Sequence, residues 1–223
     1  MSPNAITETA AKSLTDALTN KNTTIRSQAI RAVTHFCQTQ PSAFENTVST
    51  ITDILSNDSD RGVQHQAAEA INTISQQEPE LLTENVGEMT TVLDADSLHH
   101  DEIAKREAIV TALGNVGCTT EENTEIIVDA LVEALGDPWK DVREASLSAL
   151  STVGIGKSKN VDETLQHVIE VITDSEETPS VRIKAVDLIE SVGRERSELV
   201  MKSRPEIVDV LPDKEAERLD AAE

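Results

Sequence analysis

An arginine or its equivalent returns along this chain at Arg26, Gln64, Arg106, Arg143 and Arg182, at intervals of 38, 42, 37 and 39 residues. A period of that length makes each unit one supersecondary element, too small to bury its own apolar face. Such units must stack into a solenoid. The unit is clearest over residues 136–154, where a turn carrying Asp137 and Pro138 leads into a segment whose small and apolar residues recur every three or four positions. That spacing places one apolar stripe on one face of a helix. Residues 106–117 and 143–154 align without a gap and are identical at seven of twelve positions.

Within each unit the second helix carries core residues three, six, seven and ten places beyond the recurring arginine. In the third and fourth units these are Ile109, Ala112, Leu113 and Val116, then Ser146, Ala149, Leu150 and Val153. Positions one, two, five, eight and nine, Gly114 among them, are expected on an exposed concave face. First helices show apolar residues at offsets of −7, −4, −1 and 0 from a terminal Leu or Ile, as in Val128, Leu131, Ala134 and Leu135. The expected organisation is one all-α, right-handed α-α superhelix over residues 1–211, without a domain boundary. Its repeats fall at about 5–38, 42–77, 79–117, 122–154 and 161–193. A half repeat at 196–211, carrying Ile207, Val210 and Leu211, and a charged tail or cap at 212–223 complete it. A stack needs a polar cap, so its C-terminal end is also where self-association is expected.

Composition agrees with this class and narrows the partners. Two Phe, one Trp and no Tyr leave a core of Ala, Val, Ile and Leu, which suits closely packed helices better than sheets. Acids number 41 against 19 bases, for a net charge of −22, and they are spread along the chain. Such a surface repels nucleic acid and anionic lipid, so direct binding to either is not expected. An acidic, Thr-rich, Lys-poor composition resembles that of proteins from a molar-salt cytoplasm, where self-repulsion is screened within a few ångströms. No apolar run approaches the ~20 residues of a membrane span, and no basic region or signal core opens the chain, so a cytoplasmic location is expected. Cys37 and Cys118 close corresponding helices two repeats apart, on the order of 20 Å at ordinary helix spacing, and are not expected to bond.

The Asp137-Pro138 turn, Val142-Arg143, the Ala/Leu-rich second helix and the closing Val153-Gly154 resemble HEAT repeats, over most of residues 5–211. The resemblance implies an α-solenoid that binds other proteins. It also implies a ladder of hydrogen bonds between neighbouring layers, made by an acid and the Arg six residues later, with Arg26, Arg106, Asp137, Arg143 and Arg182 as its members. Asp137 and Arg143 match that pattern, Asp58 is followed by Gln64, Glu176 by Arg182, and His100 stands where the acid before Arg106 belongs. The expected function is a non-catalytic scaffold or adaptor that contacts a partner protein through Trp139, Ala108, Thr111, Ala145 and Ser148. Trp139, the only Trp, stands in a turn directly before a helix, where it serves either as an interface anchor or as a lid over the core. The alternatives are a bilin-lyase-like HEAT protein, or an accessory subunit of an enzyme or chromosome-organising complex whose partner supplies the basic surface.

Catalytic and metal chemistries find no support in the residues. Gly154-Ile155-Gly156-Lys157-Ser158 resembles the end of a phosphate loop, but Ser151 stands where its first glycine belongs and a helix precedes it. In the stretch 94–102, adjacent His99 and His100 lack zinc-ligand spacing, and the calcium-loop positions for Gly and Glu hold His99 and Lys105. His35, His65 and His167 have no nucleophile placed beside them. No cofactor, metal or catalytic residue is expected. The 25 exposed concave positions hold five acids and two bases, which makes no basic groove for DNA.

Overall fold

The computed structural model describes residues 8–93 and 102–201 and, for Ser42 and Lys157, the backbone alone. Ten helices are bounded within it: α1 (Glu8–Leu18), α2 (Thr23–Cys37), α3 (Glu45–Asn57), α4 (Arg61–Gln77), α5 (Val86–Thr91), α6 (Ile103–Gly117), α7 (Thr124–Glu133), α8 (Lys140–Val153), α9 (Val161–Thr173) and α10 (Pro179–Glu195). No strand occurs among the described residues. Local chemistry sets the helix ends. Asn22 Oδ1 accepts the Thr24 N–H at 2.9 Å and opens α2, and Asp60 Oδ1 accepts the Val63 N–H at 3.1 Å and opens α4. Pro179 starts α10, where its fixed φ and missing N–H cost nothing. Gly154 ends α8 at φ 73° and ψ 57°, a left-handed conformation that glycine adopts without strain.

Odd and even helices pair as five antiparallel layers, and each class also stacks on its own kind along the molecule. The even row, α2, α4, α6, α8 and α10, is packed more closely than the odd row. One apolar cluster runs through every layer, from Ala11 to Val200. The second-helix positions chosen from the repeat are buried except Ala32, Phe36 and Val153, which are half-buried.

A further stripe, four places beyond the recurring arginine, is equally buried: Ile30, Ala68, Val110, Leu147 and Val186. It lies beside the first stripe and widens the apolar face, so that each second helix can contact the neighbouring layers as well as its own partner. Gly114, expected on the exposed face, is also buried. A Cβ there would lie 2.8 Å from Ala149 Cβ and 2.9 Å from Ala149 Cα, so the missing side chain is what lets α6 and α8 meet.

The third layer departs from the pattern. Its first helix is a seven-residue 3-10 segment, Pro79–Asn85, leading into the short α5. Residues 197–201 begin another helix, and Val200 packs over Gly193. The rest of the expected half repeat, with Ile207, Val210 and Leu211, lies outside the described residues, as do the tail and 94–101.

Candidate functional site

Four of the turns between first and second helices, all within the described residues, share one hydrogen-bond scheme. Asn20, Asp58, Asp137 and Asp174 each accept the N–H two residues on with a side-chain oxygen, at 2.8–2.9 Å. The backbone carbonyl of the same residue accepts from the recurring position: Arg26 on Asn20 at 2.8 Å, Gln64 on Asp58 at 2.7 Å, Arg143 on Asp137 at 2.7 Å, and Arg182 on Asp174 at 2.5 Å. The turn and the start of the second helix are thus held together inside these four repeats.

The charged bridge runs onward to the next repeat. Arg26 grips both oxygens of Asp58 at 2.6 and 2.7 Å, and Arg143 grips both oxygens of Glu177 at 2.7 Å. Arg106 Nη2 donates to Asp137 Oδ1 at 3.2 Å, and its Nε lies 2.8 Å from Oδ2. Two of the sequence-derived pairings are corrected by this geometry. Asp137 gives its carboxylate to Arg106 and only its carbonyl to Arg143, because a guanidinium at the start of one second helix reaches the turn of the adjacent layer. Glu176 is exposed and Glu177 is the acid used, since the fifth turn is longer and divides two roles between Asp174 and Glu177. Arg182 donates to a carbonyl, that of Asp174, not to a carboxylate. Where Gln64 replaces Arg, Lys105 reaches Gln64 Oε1 at 3.2 Å and pairs with Glu102.

These bridges perturb their carboxyls. Burial pushes Glu177 up, but the Arg143 fork and the Thr178 N–H outweigh it and hold the carboxyl below its ordinary value. Asp58 follows the same balance, burial against Arg26 and the Asp60 N–H, with the same net direction. Arg143 is raised by its bond to Glu177. Cys37 is buried, which pushes its thiol up to about 12, and Cys118 is exposed; both thiols are free.

On the even-helix face, Thr111, Ala145 and Ser148 line a recess of about 280 Å³ with Glu107, Glu144 and Lys184. Thr111 and Ser148 each donate to the carbonyl four residues back, at 2.9 Å, and Lys184 Nζ donates to Ser148 Oγ at 3.0 Å. The hydroxyls are therefore engaged, and no imidazole lines the recess to activate one. Ala108 and Trp139 do not line it; both pack, half-buried, against the core. Trp139 caps α8 in the turn row, with its backbone N–H on Asp137 Oδ1.

Three of the five candidate contacts thus share the recess, and Ala108 and Trp139 lie outside it. A groove of about 700 Å³ between α7 and α9 was not anticipated, although acids spaced four apart at Asp129 and Glu133 carry its signal in the sequence. Among the described residues no group of three His, Cys, Asp or Glu side chains could hold a metal ion, and no helix is long and apolar enough to cross a membrane.

Stacked two-helix layers, a hydrogen-bonded turn ladder and an open second-helix face define a helical-repeat protein of the armadillo and HEAT class. Solved structures share the fold. A computationally designed armadillo repeat protein for modular peptide recognition is 15% identical, with 94% of this chain and 97% of that chain covered and a TM-score of 0.66. A designed armadillo repeat protein in complex with the peptide (KR)4 is also 15% identical, with 94% and 96% covered and a TM-score of 0.66. A chain from a structure of microtubule plus end tracking is 14% identical, with 95% and 88% covered and a TM-score of 0.64. No curated protein matches the chain. The family model for non-SMC mitotic condensation complex subunit 1, Cnd1, matches residues 1–132, more than half of the 223 residues, and the chain belongs to that family.

Proposed function

We propose that this protein is a non-catalytic scaffold that holds another protein along its even-helix face, as an accessory subunit of a chromosome-organising complex. The observation that carries the reading is the recess over α6 and α8, where small side chains leave backbone-close access on an otherwise continuous row of helices. Low side-chain bulk at Thr111, Ala145 and Ser148 allows a partner segment to approach with little entropy lost from the scaffold. The condensation-complex family supports the chromosomal setting, and the peptide complexes formed by structural neighbours support the mode of binding. With a net charge of −22 the chain does not itself hold DNA; a basic partner does. The same charge fits a high-salt cytoplasm.

The test is capture from the native organism's lysate at its own salt concentration, with the full chain and with a Thr111→Arg/Ser148→Arg variant of unchanged helicity. One protein recovered in near-stoichiometric amount and lost with the variant is the expected result. Capture that the variant leaves undiminished removes the recess from the proposal.

A further inference from the structure

Curvature in a solenoid separates its two rows. The even helices of this chain approach until Gly114 meets Ala149 backbone, while the odd helices α7 and α9 touch only lightly and leave the groove of about 700 Å³ between them. That volume is in the range of ligand-binding clefts. Its floor is apolar, formed by Val132, Leu135 and Val171, and its walls are carboxylates. Two acids at one end, Asp137 and Glu177, are neutralised by Arg106 and Arg143. The remaining acids are not. Among the described residues, Asp129, Glu133 and Glu163 have no cation within ion-pair distance, and Glu170 faces only His167, at 3.3 Å. At the mouth, a Cβ on Gly136 would meet nothing within 4 Å, so the backbone there borders open space.

We propose that this groove is a second docking site, for an arginine- or lysine-bearing segment of a partner protein. A long basic side chain matches both parts of it: the methylene stem covers the apolar floor and the charged head reaches the carboxylate walls. A second copy of this chain does not, because its own net charge of −22 opposes an acidic wall. The site lies on the opposite helix row from the recess over α6 and α8 and stands or falls separately from it.

The experiment is calorimetric titration of the full chain with octa-arginine, at a potassium chloride concentration where the far-UV helix signal is intact. Three variants accompany it. Glu133→Gln/Glu163→Gln/Glu170→Gln removes groove charge. Glu80→Gln/Glu84→Gln/Glu88→Gln removes the same charge from the third repeat. Gly136→Arg places a guanidinium in the open space at the mouth. The expected result is one peptide per chain, at least about tenfold weaker binding in the groove triple and in Gly136→Arg, and less than about threefold change in the third-repeat triple. Equal losses in the two triples would assign the binding to net charge and overturn the proposal, as would unchanged affinity in the groove triple. Spermine binding as tightly as the peptide would assign the groove to a diffusible polycation and equally overturn it.

Discussion

Ser146 occupies the middle of α8, is fully buried, and its hydroxyl has no hydrogen-bond partner among the described residues. The corresponding position is Ala29, Ala67 and Ala185 in three other repeats, so an apolar methyl is what the stack accommodates there. A buried hydroxyl without a partner costs about 1–3 kcal/mol, and Ala is also the better helix former. Ser146→Ala is expected to stabilise the protein by about 1 kcal/mol, a rise of about 2–4 °C in thermal midpoint by calorimetry. The Arg143–Glu177 bridge gives a test with a sign. Glu177 is held below the ordinary carboxyl value near 4.3, so the bridge contributes stability above that pH and loses it as the pH falls through the lowered folded value. Arg143→Met leaves a buried carboxylate without its fork and is expected to cost about 2–3 kcal/mol at pH 7. In that variant burial acts alone against the Thr178 N–H and raises Glu177. Urea titrations should then show the gap between wild type and variant narrowing from pH 7 to pH 4. A gap that widens would contradict the balance of causes described here.

Helix contacts carry the next layer of specificity. α6 and α8 share the most extensive interface between second helices, and Gly114 sets its closest approach. Adding one methyl at Gly114 gains about 1 kcal/mol of helix propensity but forces the helices apart, at about 1–3 kcal/mol. Gly114→Ala is therefore expected to destabilise by about 1 kcal/mol, and Ala149→Gly, which removes the opposing Cβ, should recover part of the loss in the double variant. Additive effects measured by denaturant unfolding would show that the two residues do not meet. The first and second helices were legible from their 3.6-residue pattern and their Asn, Asp and Pro starts. The buried stripe at Ile30, Ala68, Val110, Leu147 and Val186 was not, because a one-face pattern describes a helix with one neighbour and each of these helices has at least two.

The charge belongs to the molecule as a whole. Carboxylates outnumber bases by 22, and in the described residues the closest ion pairs are spent on the turn ladder and a few surface contacts. Screening shortens from about 10 Å at 0.1 M salt to about 3 Å at 1 M, so repulsion among the remaining acids collapses in that range. The thermal midpoint is expected to rise by at least about 5 °C between 0.1 M and 2 M potassium chloride, measured by circular dichroism. A flat or falling midpoint would separate the acidic composition from salt adaptation. The groove between α7 and α9 has its origin at this scale too, since it opens where the odd helices are spread apart, and its exposed acids read in the sequence as an ordinary solvated helix face.

What could be read from the chain alone is its class and its count of layers. Periods of 37–42 residues and helical spacing are local properties, and local propensity with binary pattern suffices to set them. The recurring arginines and their turns were equally visible, but not their partners. Asp137 lies six residues before Arg143 and looks paired with it, yet its carboxylate serves Arg106, 31 residues away, because stacking brings one layer's guanidinium to the next layer's turn. Trp139 parted from Thr111, Ala145 and Ser148 for the same reason: residues close in sequence were assigned to different surfaces by the way the layers lean on one another. Distance in the chain sets which helices form, and packing between layers sets which side chains meet.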